Sequence, residues 1–145
     1  MIQTEKDACI SYYKEGLQFY KAATKPGKKR IFTPVLLYNL ACMSIEKFFM
    51  AFFFFNKSMP DNHTMKDLVE SAAKISDISG ALKDNMLFLD GFQDICPVHA
   101  VNTVQPQEKD MLRTIETLDM VKDFVDGVLK ITAEKTGAFY ENNNT

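Results

Sequence analysis

The sequence predicts an all-α fold, an antiparallel bundle of about five helices, on three observations. Apolar residues recur at three-four spacing in several separate segments. Those segments are parted by proline, glycine and asparagine clusters that interrupt a helix. Nothing alternates with the two-residue period of a strand bounded by hairpin signals.

The first helix is expected from about Thr4 to Ala23. Cys9, Tyr13, Gly16, Leu17 and Tyr20 fall on one face, and Lys6, Asp7, Lys14 and Lys21 on others. TKPGKKRIFTP then breaks the pattern with Pro26, Gly27 and a basic cluster of Lys25, Lys28, Lys29 and Arg30. Thr33 and Pro34 offer an N-cap and a first-turn proline for the second helix.

That second helix, VLLYNLACMSIEKFFMAFFFF from Val35 to Phe55, is apolar on nearly every side yet carries Glu46 and Lys47 at its middle. About 20 apolar residues suffice to cross a bilayer. Two central charges cost roughly 2.5 to 3.5 kcal/mol each there, against a gain of about 0.3 to 0.6 for each large apolar residue. Hydropathy alone does not decide, and the other amphipathic helices, which need an apolar partner, favour a core helix with no membrane.

NKSMPDNH supplies the next turn, after which Thr64 and Asp67 form an aspartate version of a capping box. Met65, Leu68, Val69 and Ala72 line the third helix, which SDISG closes near Ile75. A fourth is expected from Ala81 to Ile95, ended by Pro97. Pro106 is expected to open a last helix of about 40 Å, with Met111, Ile115, Leu118, Val121, Val125 and Val128 at three-four spacing. The tail, 138–145, reads as disordered.

The chain has 145 residues, a length that suits one domain. Its formal net charge is -2, from 17 basic and 19 acidic side chains, so no overall field attracts nucleic acid or anionic lipid. The charged, patterned start does not read as a signal peptide, which implies a cytoplasmic protein. Cys9, Cys42 and Cys96 lack metal-ligand spacing and fit reduced thiols; no metal and no cofactor is expected.

Candidates for chemistry are few. His63 lies in the turn PDNHT, and His99 follows Pro97 in FQDICPVHAV. Glu46 and Lys47 are sequence neighbours pointing about 100° apart, so each needs a partner elsewhere. Asn39 shares a face with Glu46. Lys28, Lys29 and Arg30 are candidates for phosphate or nucleic-acid contact, although such a loop cluster also serves solubility alone.

IEKFFMAFFFF, followed by a proline-bearing turn and KDLVESA, resembles the core of HEPN domains through Glu46, Lys47, Ala51, Asp67 and Leu68. The similarity in helix order extends over about residues 5 to 133. It implies an up-and-down four-helix core, a homodimer and, in many such domains, a separately encoded nucleotidyltransferase-type partner, sometimes as a toxin-antitoxin pair. Met50 and Lys66 stand where the family often has lysine and histidine.

Ribonucleases of this family carry an arginine four to six residues before a histidine. The arginine holds the phosphate and the histidine handles the proton of the 2'-hydroxyl. Here His99 is present and the arginine is missing, with Gln93 six positions before His99 and Asp94 beside it. The resemblance thus implies a non-catalytic binding module, with Gln93, Asp94, Glu46 and Lys47 as ligand-binding candidates and a nucleotide or RNA as ligand. Alternatives are a ribonuclease or toxin using His99, with Arg113 or the basic loop supplying the cation, and an unrelated helical-bundle interaction protein.

Overall fold

The computed structural model describes residues 3–25, 32–92 and 104–130. Expectations for Lys28, Lys29, Arg30, Gln93, Asp94, Cys96, His99 and the tail lie outside the described residues. The described residues form five helices: α1 (Gln3–Thr24), α2 (Pro34–Phe55), α3 (Met65–Ala73), α4 (Gly80–Asp90) and α5 (Glu108–Leu129). They contain no strand and pack as an all-helical bundle.

α2 starts as its sequence dictates. Thr33 accepts the Leu36 N–H at 3.1 Å and Pro34 occupies the first turn, where a missing donor costs nothing. Its hydrophobic length is spent on packing: Leu37, Ile45, Phe48, Phe49, Phe52 and Phe53 have no solvent exposure. The helix is long and apolar enough to cross a membrane, and 61% of its most apolar stretch is buried inside the bundle.

α1 lies against α2 in the opposite sense. The Cys9 thiol donates to the Ala51 carbonyl, and Ser44 Oγ donates to the Gly16 carbonyl at 2.7 Å, so rising numbers meet falling ones. Gly16 makes the close crossing: a Cβ there would stand 2.7 Å from Phe48 Cδ1. α5 also runs against α1, with Tyr13 Oη donating to Asp126 Oδ1 at 2.6 Å and Tyr20 Oη to Asp119 Oδ1 at 2.8 Å. Lys122 Nζ reaches the other Asp126 oxygen at 2.6 Å, so this carboxylate has both a phenol and a cation. Phe124 closes the α2–α5 contact, with ring centroids 6.1 Å from Phe49 and 5.3 Å from Phe52. α4 runs against α5: Asn85 meets Met120, and Phe88 meets Arg113.

Both ends of α4 and of α5 differ from the sequence expectation. α4 begins at Gly80 with Ser79 as N-cap, its Oγ accepting the Leu82 N–H at 3.1 Å. It ends at Asp90 rather than Ile95. Gly91, a weak helix former, takes the cap position, and the Asp90 side chain is occupied in accepting the Lys66 N–H at 3.0 Å. α5 starts at Glu108, not Pro106, because Asp110 Oδ2 accepts the Gln107 N–H at 2.8 Å and fixes Gln107 as the N-cap. Lys130, with φ 57°, terminates it, giving 22 residues and a length of about 33 Å.

The inner stripe of α5 differs as well. Met111, Ile115 and Val128 are only partly buried, whereas Thr114 and Thr117 are buried with Leu118, Val121 and Val125. Each threonine hydroxyl donates to the carbonyl four residues earlier, at 2.8 and 2.7 Å, which satisfies it without leaving the helix.

Candidate functional site

Glu46 and Lys47 project to different neighbours, as consecutive residues on a helix must. Glu46 Oε1 lies 3.0 Å from Nδ1 of His63 in the α2–α3 turn, and both side chains are well exposed, at 36% and 53%. Lys47 Nζ lies 3.3 Å from Glu15 Oε2 on α1 and 5.3 Å from the Tyr12 ring centroid. The two central charges of the apolar helix therefore sit at its edges, where water and one partner each hold them. Asn39, on the same face as Glu46, is exposed.

Glu46 belongs to a row, Tyr38, Cys42 and Glu46, at four-residue spacing along α2, on the side facing α3 and α4. Tyr38 Oη donates to the Leu89 carbonyl at 2.7 Å, and its ring meets Phe92 edge-on at 5.4 Å. Phe92 also meets Phe88 at 5.2 Å. Phe92, the last described residue before position 104, thus packs beside Tyr38, two turns along α2 from Glu46. Burial lifts the Tyr38 phenol well above its usual range, with Cys42 and Asp90 adding to the effect.

The thiols are poor nucleophiles. Burial pushes Cys42 up to about 12, with the neighbouring Tyr38 hydroxyl counteracting, and burial pushes Cys9 up to about 11. The thiolate fraction at neutral pH is negligible for both. Among the described residues no group of three or more His, Cys, Asp or Glu side chains is arranged to hold a metal ion.

Lys25, the described member of the basic cluster, lines a concavity of about 460 Å³ with Lys21, Ala22 and Thr24. It sits at the C-terminal end of α1, where the helix dipole opposes an anion.

Sequence reasoning missed the cap that Asp90 supplies to α3 and the setting of Arg113. The Arg113 Nε–H donates to Asn85 Oδ1 at 2.9 Å, and its Cζ stands 4.1 Å from the Phe88 ring centroid. Three-four spacing marks apolar faces and carries no signal for a polar contact between helices distant in sequence. Of the residues that carry the HEPN resemblance, Ala51 and Leu68 are fully buried, and Asp67 Oδ2 accepts the Thr64 hydroxyl at 3.0 Å. No family model, no curated protein and no solved structure matches this chain.

Proposed function

We propose that this chain is a non-catalytic, HEPN-like helical binding module that, as a homodimer, acts with a nucleotidyltransferase-type partner or binds a nucleotide. The observation that carries the reading is the Tyr38, Cys42 and Glu46 row, with Phe92 docked on Tyr38. Phe92 directly precedes Gln93 and Asp94 in the sequence, which supports a reading in which these candidates act together with Glu46.

Binding is favoured over catalysis by the state of the reactive groups. The Cys9 and Cys42 thiols, buried and held protonated, are not available as nucleophiles. With these thiols inactive, exposed Glu46 suits recognition better than nucleophilic bond cleavage.

The test combines light scattering after size-exclusion chromatography with calorimetric titration of ATP, and an RNA-cleavage assay of the wild type and His99→Ala. A dimer that binds ATP and leaves RNA intact is expected. RNA cleavage abolished by His99→Ala would replace this reading with the ribonuclease one. A monomer without nucleotide affinity would leave only a helical interaction protein unrelated to the family.

A further inference from the structure

We infer that Arg113 is a phosphate receptor; the choice of phosphate over other anions rests on the nucleotide reading above. Arg113 is exposed on α5, and two side chains of α4 fix its head group. The Nε–H is bound to Asn85 Oδ1 at 2.9 Å, and Asn85 Nδ2 is in turn 3.1 Å from Met120 Sδ. One face of the guanidinium lies over the Phe88 ring, at 4.1 Å from Cζ to centroid.

The ring sets the plane of the guanidinium and the amide sets its direction within that plane. With Nε engaged, the edge formed by the two terminal amino groups is the one left for a ligand. That edge is the fork that matches two oxygens of a phosphate. Among the described residues Arg113 enters no ion pair, and Glu116, three residues on, makes none with it. Because the geometry is set before binding, little side-chain entropy remains to be lost.

The position is also informative. Phe88 meets Phe92, and Phe92 meets Tyr38, so a chain of aromatic contacts joins Arg113 on α5 to the α2 row ending in Glu46. The relay runs through buried Tyr38 and so ties Arg113 to the packing of α2 and α4.

The chain has two arginines, Arg30 and Arg113, so their Nε–H signals in a ¹⁵N-labelled protein are assigned with a single Arg30→Lys variant. Titration with sodium pyrophosphate is expected to shift the Arg113 signal saturably, and sodium acetate to shift it far less. Arg113→Lys keeps the charge and loses the fork, and should weaken pyrophosphate binding about tenfold. Phe88→Leu, which removes the stacking surface, should weaken it by a smaller factor.

An unmoved Arg113 signal, equal responses to acetate and pyrophosphate, or undiminished binding by Arg113→Lys would each overturn the assignment. ATP as a second probe separates it from the nucleotide reading. ATP binding unaffected by Arg113→Lys removes the receptor and leaves that reading standing. Arg113-dependent pyrophosphate binding, with ATP bound no more tightly, leaves the receptor and removes the nucleotide.

Discussion

Glu46 Oε1 stands 3.0 Å from His63 Nδ1, joining the middle of α2 to the turn that leads into α3. The pair is open to water on both sides, and exposed ion pairs contribute little. Glu46→Gln is therefore expected to lower stability by about 1 kcal/mol or less in urea unfolding. A loss of several kcal/mol would mean that this carboxylate is a buried structural group.

Gly16 and Phe48 set the closest approach of α1 and α2. Since a Cβ at Gly16 would stand 2.7 Å from the Phe48 ring, Gly16→Ala should destabilise by about 1 to 3 kcal/mol even though alanine is the better helix former. Adding Phe48→Leu should recover part of that loss, so the two substitutions would be non-additive in a double-mutant cycle. Simple additivity would place the strain elsewhere.

Asp90 caps α3 from the end of α4 by accepting the Lys66 N–H at 3.0 Å. Asp90→Ala should cost about 0.5 to 2 kcal/mol, the range for loss of an N-terminal cap. Amide hydrogen exchange localises the effect: the Lys66 amide should lose protection, while α1 amides should not. Unchanged exchange at Lys66 would contradict the contact.

Alkaline pH should unfold the protein. The Cys9 and Cys42 thiols rise from 9.0 to about 11 and about 12 by burial. Tyr20 rises from 10.0 to about 12 through burial, its hydrogen bond to Asp119 and the charges of Asp119, Asp123 and Asp126. These acids are neutral when protonated, so above pH 9 the unfolded chain gives up protons that the folded chain keeps. Stability is then fully present below pH 9 and falls as pH rises toward 11 to 12, by up to about 1.4 kcal/mol per pH unit for each buried thiol. Melting temperature measured from pH 7 to 11 should be flat at first and then drop. Replacing both Cys9 and Cys42 with Ala should soften the drop.

Much of the bundle was legible in the chain. The cap at Thr33, the proline after it and the three-four stripes located α1, α2 and α3 within about a residue or two, since these features are local. The end of α4 was not. Leu89, Phe92 and Ile95 continue an apolar period past Asp90, and only the engagement of Asp90 with α3 and the low helix propensity of Gly91 explain the stop. The start of α5 was misplaced because Pro106 gives a stronger local signal than Gln107, whose role depends on Asp110.

The candidate site was less readable. Glu46 and Lys47 stood out as charges in an apolar helix, but nothing local assigned His63 to one and Glu15 to the other. Arg113 carried no distinguishing spacing at all.

The sequence by itself determined that the chain is helical, where most helices begin, and that α2 must be covered by its neighbours, because propensity, capping and periodicity act within a few residues. Tertiary structure alone decided which charge met which partner. It also set the bond of Tyr13 to Asp126, 113 residues away, and the placement of Arg113 over Phe88. Those contacts depend on how helices far apart in the chain are brought side by side, and that is fixed by packing the core as a whole.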